Sequence, residues 1–271
     1  MTELQADTSQ KRSYAEAYER FVVPALFAGW AASLVEMVSP ARDAHVLDVG
    51  CGTGVVTRAA HKYLGTAGRV SAVDNDRAML QVAKEAADGL GAPIQWLEGD
   101  AARLPFGDSQ FDIVYCQQAL QFLADPLATL TEIRRVLRPG GRIALNTWRG
   151  VRDRGASQVL GGVLARHLGP DAARELNAPC GFGNPEALGM LLSESGFTLL
   201  YSGVLVETLR VASAESLLDL ASLITSLGPW LKDLTADARR RLVSDLDNTL
   251  NDSASGRLAI PVEASVAIAQ R

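Results

Sequence analysis

Cysteine and histidine are scarce in this chain, with three of each among 271 residues. Cys51, Cys116 and Cys180 form an odd set without paired spacing, which argues against a disulfide framework or a structural zinc site. Basic charge is in deficit: 26 Lys and Arg face 31 Asp and Glu, a net charge of -5, so no surplus exists to neutralise phosphates and no nucleic-acid partner is expected. The local cluster Arg134, Arg135 and Arg138 reads as a solvated helix end, because cations favour helix C-termini. An unbroken apolar run of membrane length is also missing. The most apolar stretch, 21–38, is interrupted by Pro24, Gly29 and Ser33 and carries Glu36, so it reads as a buried or lid helix and no membrane partner is expected. Residues 1–12 are polar and mixed in charge, without the basic-then-apolar layout of a signal peptide. A disordered tail and a reducing, cytoplasmic location are the expectations.

What is present is an apolar share of 48%, enough for one substantial core with a smaller appendage. From His45 onward, short β-branched runs alternate with longer stretches of helical periodicity, the signature of βαβ units on a largely parallel sheet. Strands are expected at 45–49, 69–73, 94–97, 111–116 and 142–147. The helix between the first two carries Val55, Val56, Ala59, Ala60, Tyr63 and Leu64 on one face, and Asn75 or Asp76 can cap the next. Asp125-Pro126 opens a helix that Pro139-Gly140-Gly141 is expected to end. After Trp148 the pattern loosens through the loop 179–183, with one helix around 159–168 and another at 185–195. One long strand or two short ones follow at 197–211, then two helical stretches at 215–227 and 236–250, and a closing strand at 263–269. The helical stretches read as an insertion at the rim of the sheet.

Three features fall at successive strand ends. Gly50, Gly52 and Gly54 occupy alternate positions between a strand and a helix, and only glycine lets a ligand approach such a backbone closely. The dinucleotide fingerprint requires a glycine at the sixth position of this turn, where Val55 stands, which argues against NAD and FAD. Asp74 lies twenty residues past Gly54 at the end of the second strand, placed to accept from both hydroxyls of a ribose. Gly99-Asp100-Ala101 begins at the end of the third strand, where an aspartate can accept from an exocyclic adenine amine and small residues leave room for the flat ring. Taken singly each could serve a turn; in register they imply a nucleoside ligand.

The residues VLDVGCGTG, the acidic end of strand two, GDAARLPF and LRPGG resemble class I S-adenosylmethionine-dependent methyltransferases of the small-molecule group, strongly over 46–145. The resemblance implies an α/β Rossmann-like fold with a seven-stranded, mostly parallel sheet whose last strand is antiparallel, helices on both faces and a helical lid insertion. Residues 1–44 would form an N-terminal helical cap and 45–271 the methyltransferase domain, with the lid at about 212–256. By the same likeness Asp48, Gly50, Cys51 and Gly52 would lie in the cofactor site, the last three against the methionine part. Asp74 would hold the ribose, Asn75 and Met79 would flank the adenosine, Asp100 and Ala101 would contact adenine, and Gln117 would line the sulfonium end. Tyr14 and Tyr18 resemble the tyrosines of the leading helix that close over the cofactor, although ordinary amphipathic packing explains them equally.

Methyl transfer from a sulfonium needs alignment more than activation, so no metal is expected. Many relatives carry a histidine pair just after the fourth strand, and here Gln121 stands in place of the first. An amide can orient a hydroxyl or amine but takes no proton at neutral pH, so Gln121 is a positioning candidate. His167 is the one histidine in the half of the fold where chemistry belongs, and it is the candidate base against a reading as a surface residue near a helix end. Trp148, Phe182, Leu223, Ile224 and Trp230 could shape an apolar substrate pocket or pack lid helices. The expected activity is methylation of a small molecule. A non-methylating cyclase or a ligand-sensing protein on the same fold is the alternative, and the oligomeric state stays open, a homodimer included.

Overall fold

The computed structural model describes residues 3–91, 93–149, 156–177, 182, 184–225, 227–250 and 258–271. Its centre is a seven-stranded sheet of β1 (His45–Val49), β2 (Arg69–Asp74), β3 (Gln95–Glu98), β4 (Phe111–Gln117), β5 (Leu137–Trp148), β6 (Thr198–Val211) and β7 (Leu258–Gln270). The strand order is β3-β2-β1-β4-β5-β7-β6, with parallel pairs from β3 to β5 and with β7 antiparallel to both its neighbours. This is the sheet of the class I methyltransferases, as the resemblance implied.

Strand alternation sends successive side chains to opposite faces. Leu47, Val114, Cys116, Ile143 and Leu145 meet α5 (Pro126–Val136) and α8 (Pro185–Glu194) through Leu130, Ile133, Leu188 and Leu192. Val46, Ile113, Tyr115 and Ala144 meet α2 (Ala28–Val38) and α3 (Val55–Leu64) through Leu34, Val35, Val56 and Ala60. Helices thus cover both faces. The helix α4 (Arg77–Ala86) is capped by Asp76, whose carboxylate accepts from the backbone N–H groups of Ala78 and Met79.

Expected and observed boundaries part at several places. The expected helix 215–227 ends at Ile224, and three other departures have a plain physical reason. The helix α5 stops at Val136, because Leu137 is already extended and pairs with Phe111; Pro139-Gly140-Gly141 therefore lies within β5 instead of closing the helix. The closing strand is longer than its alternating apolar core, since β6 offers a partner all the way from Thr198 to Val211. Residues from Glu3 onward are helical, not a disordered tail: α1 (Glu3–Ala17) is tied down where Arg12 bonds Glu16 and Glu85.

The chain from α1 continues through a π-helical stretch, Tyr18–Phe27, into α2. Pro24 sits inside that stretch, where the wider turn carries the backbone past the missing N–H, as in the bond from Ala28 to Val23. The helical run Ser9–Val38 is long and apolar enough to cross a membrane, yet half of its most apolar window is buried inside the protein. Val22, Leu26, Phe27 and Trp30 enter a separate core. That core also takes in α6 (Ala156–Leu168), α7 (Pro170–Asn177), α9 (Ala214–Ile224), α10 (Gly228–Lys232) and α11 (Ala236–Leu250). A helical layer thus caps the sheet, built from the leading helices, the β5–α8 connection and the segment between β6 and β7. Cys180, the rest of the loop 179–183 apart from Phe182, and 251–256 of the expected lid lie outside the described residues.

Trp30 is fully buried in the cap core while its indole N–H has no partner among the described residues. Trp30→Ala should therefore lower unfolding free energy by about 3–5 kcal/mol, measured by denaturant titration. Trp30→Phe should cost much less, since it removes an unsatisfied donor along with the extra ring.

Candidate active site

The carboxyl ends of β1, β2 and β3 meet because their backbones are bonded to one another. The N–H groups of Gly50 and Cys51 both donate to the carbonyl of Val73, at 2.8 and 3.1 Å, and Gly99 donates to the carbonyl of Asp74 at 3.0 Å. The Asp74 carboxylate closes the arrangement: one oxygen accepts from Gly52 N at 2.7 Å and the other from Asp76 N at 2.9 Å. Each oxygen keeps a further lone pair for a ligand. Burial raises the pKa of Asp74 despite these two bonds.

The glycines are required here for separate reasons. Gly50 has φ of 67°, and a Cβ on it would lie 2.4 Å from the Cβ of Ala119. Gly52 has φ of 53° and open space where its Cβ would be, so its backbone is bare toward the cavity it lines.

That cavity has a volume of about 550 Å³. Gly50, Gly52, Asp74, Asn75, Met79, Asp100 and Ala101 line it from the strand tips, together with Val73, Asp76 and Gly99. Tyr14, Tyr18, Phe27 and Trp148 form an aromatic wall, with ring centroids 6.2 Å apart between the two tyrosines, 5.7 Å from Tyr18 to Phe27 and 6.0 Å from Phe27 to Trp148. Leu223, Ile224 and Thr225 come from the end of α9. The Tyr14 hydroxyl donates to the carbonyl of Leu223 at 2.6 Å, joining the leading helix to the segment between β6 and β7 across the opening. A partly buried ion pair, Arg58 to Glu19 at 2.7 Å, holds the π-helical stretch against α3, and Arg58 also donates to the carbonyl of Thr53 in the glycine turn.

Several of the residues singled out from sequence are brought together and several are not. Tyr14, Tyr18, Gly50, Gly52, Asp74, Asn75, Met79, Asp100, Ala101 and Gln121 share the cavity. Gln117 does not line it: the side chain is buried and donates to the carbonyl of Phe27 at 3.2 Å, and the next residue, Gln118, lines the cavity instead. The reason is a left-handed residue, Gln118 at φ of 53°, which breaks the strand alternation without a glycine to announce it. His167 lies away from the cavity, in the last turn of α6, where its Nε2 is 3.0 Å from Asp245 of α11. It is a cap residue, not a base at this site. Asp48 and Cys51 are also off the cavity wall. Alternation turns Asp48 toward α3, where Thr57 donates to it at 2.6 Å, and Cys51 packs with Ala72 and Leu80. Of the apolar rim candidates, Trp148, Leu223 and Ile224 line the cavity, whereas Phe182 and Trp230 pack against cores. Residues missed from sequence are Phe27, Gln118, Ala119, Phe122, Leu123 and Thr225; Gln118, Ala119 and Phe122 stand next to or near Gln121, in the stretch just past the fourth strand.

The fold and the shape of this site define a class: a doubly wound sheet that receives a nucleoside at the tips of its first three strands. A family described as a methyltransferase domain matches residues 47–145. The chain is 35% identical over 118 residues to the 2-phytyl-1,4-naphtoquinone methyltransferase of Synechocystis sp., covering 43% of this chain and 50% of that one. A solved structure from Bacillus halodurans C-125, assigned on a provisional basis as a methyltransferase, superposes with a TM-score of 0.61 at 20% identity, over 89% of this chain and 97% of the other. The [4+2]-cyclase SpnF shares the fold too, with a TM-score of 0.54 at 19% identity over 88% and 80% of the two chains. The match to a methyltransferase domain is thus confined to residues 47–145, the part of the chain that holds the glycine turn, Asp74 and Asp100. The chain spans about half the length of the curated relatives it matches.

Asp48 carries a pH consequence. Complete burial raises its pKa to about 7, against the Thr57 bonds that lower it. A carboxyl group raised on folding contributes stability that is full below its unfolded value near 3.8 and lost as pH climbs to about 7. At about 1.4 kcal/mol per pH unit this is about 3–5 kcal/mol across the window. Asp48→Asn should remove most of that loss, so the fall in Tm between pH 4.5 and pH 7.5 shrinks in the variant. An equal fall in both proteins would show that Asp48 titrates at an ordinary value.

Proposed function

We propose that this chain is an S-adenosylmethionine-dependent methyltransferase that methylates a small molecule by direct in-line transfer, without a metal. What supports it above all is the convergence of Gly52, Asp74 and Asp100 on one cavity. The residues present fit the cofactor. The bare backbone of Gly52 leaves a cradle for the amino-acid part, the free lone pairs of Asp74 suit two ribose hydroxyls, and Asn75, Met79 and Ala101 leave a slot beside Asp100 for a flat base. The bound sulfonium supplies an electrophilic methyl group, so the protein's task is alignment and exclusion of water.

The aromatic wall and the Tyr14–Leu223 latch carry out that exclusion from the cap side. No histidine stands among the cavity-lining residues, and the amide of Gln121 takes no proton. The substrate therefore arrives with its nucleophile already available, or loses its proton to solvent. The wall of Tyr18, Phe27 and Trp148 suits a flat ring, in keeping with a relative named for a naphthoquinone. That absence of a histidine from the lining, with the same fold found in a cyclase, also favours a second reading in which the cofactor is bound and not consumed.

Calorimetric titration should show S-adenosylmethionine and S-adenosylhomocysteine binding the purified protein, with both at least about tenfold weaker in Asp74→Ala, the loss expected of charged hydrogen bonds at ~1.5–3 kcal/mol. Unchanged affinity removes the ribose assignment. Incubation with cell extract and methyl-labelled cofactor, followed by mass spectrometry, separates the two readings. A labelled product formed together with S-adenosylhomocysteine supports transfer, and a new product with the cofactor intact supports the cyclase.

A further inference from the structure

Two glutamine side chains on the cavity wall bond to each other. Gln121 Nε2 donates to Gln118 Oε1 at 2.9 Å, while Gln118 Nε2 and Gln121 Oε1 are buried without a partner among the described residues. Turning both amides over exchanges the roles and leaves the same tally, one N–H donor and one carbonyl acceptor unmatched. Leaving both unmatched is costly, and a buried pair of this kind discriminates sharply among ligands that do or do not satisfy it.

The backbone holds the pair in place. Gln118 is fixed at φ of 53° by its N–H, which donates to the carbonyl of Asn146 at 2.9 Å and lies 3.2 Å from the side-chain oxygen of the same residue. A non-glycine residue kept in the left-handed region at a site is strain that the surrounding structure maintains. Gln121 follows in the short 3-10 turn Leu120–Phe122, whose Leu120 is fully buried. Both residues line the cavity, and their unmatched atoms are closed off from water, so a ligand in the cavity meets them as the amides turn toward it.

We propose that the Gln118–Gln121 amide pair is the recognition element for the methyl acceptor, and that it selects a flat, uncharged molecule presenting one hydrogen-bond donor beside one acceptor. A hydroxyl next to a ring carbonyl, or a carboxamide, meets this description. A carboxylate presents acceptors only and leaves the amide N–H matched but the amide oxygen facing negative charge; a plain hydrocarbon ring matches neither. The proposal rests on the methyltransferase reading only in calling the ligand the methyl acceptor.

The test uses three rings of one shape, 2-naphthamide, 2-naphthoate and 2-methylnaphthalene, titrated calorimetrically into protein saturated with S-adenosylhomocysteine. The wild type should bind 2-naphthamide at least about tenfold more tightly than the other two, the worth of about 1.4 kcal/mol. Gln121→Leu, and separately Gln118→Asn, which is one methylene short of its partner and tolerates the left-handed backbone, should bring the three within about twofold of one another while S-adenosylhomocysteine still binds. Should Gln121→Leu fail to fold, Gln121→Glu is nearly isosteric and gives a signature that mere structural support would not: preference moves to the cation 2-naphthylmethylammonium over 2-naphthamide. Equal binding of the three rings by the wild type, a preference for the carboxylate, or no binding of 2-naphthamide overturns the proposal, as does a Gln121→Glu protein with wild-type ranking. Failure of S-adenosylhomocysteine to bind the wild type counts instead against the methyltransferase reading, and the same ring series on the ligand-free protein still decides the role of the amides.

Discussion

The Asp74 carboxylate is the point on which the arrangement turns. It sits at the end of β2 and accepts a hydrogen bond from the backbone N–H of Gly52 on one oxygen and from that of Asp76 on the other, so one side chain holds both the glycine turn after β1 and the start of α4. Neighbouring strand tips are already joined through Val73 and through the bond from Gly99. Parallel strands with helices on both faces place all of these ends on one edge, and the order β2-β1-β4 makes the connections after β1 and β4 diverge, which leaves a crevice there. A buried carboxylate with partial backbone satisfaction and free lone pairs is costly to keep in the absence of a ligand and well matched to one with hydroxyl groups.

The second half of the site is supplied by parts of the chain distant in sequence. The leading helices, the end of β5 and the segment after β6 meet in a core of their own, centred on Trp30, Leu164, Leu218 and Leu246. That core serves the site indirectly, by setting Phe27 and Trp148 at the cavity wall and by allowing Tyr14 to reach the carbonyl of Leu223. One half of the cavity is thus made of backbone turns and carboxylates at strand tips, whereas the other is made of the amides just past β4 and of rings set by the cap. Such a division lets one sheet serve many acceptors, since the cap can change without disturbing the strand tips.

Much of this was legible in the residues. The glycine turn, Asp74 and Asp100 could be read because each is a local chemical requirement: a bare backbone, an acid at a strand end, an acid followed by small residues. The seven strands and the antiparallel last strand followed from resemblance, and the sheet agrees. The expectations for Gln117 and His167 failed for reasons that are not local. A single left-handed residue passed the cavity position from Gln117 to Gln118, and no glycine marked it. His167 is in the expected half of the chain, but the packing of α6 on α11 turns it to Asp245.

What the sequence by itself determined is the chemistry written in short windows: which turns need glycine, where acids end strands, where β-branched runs alternate with helical periodicity. Those choices depend on neighbours a few residues away, so they survive without coordinates. Only the tertiary structure decided which side chains face one another across the cavity. That Gln118 and Gln121 come to stand beside an aromatic wall drawn from 14 to 148 depends on the hold of Asn146 on Gln118 and on helix packing in the cap, and packing is a relation between distant residues that no single stretch of the chain contains.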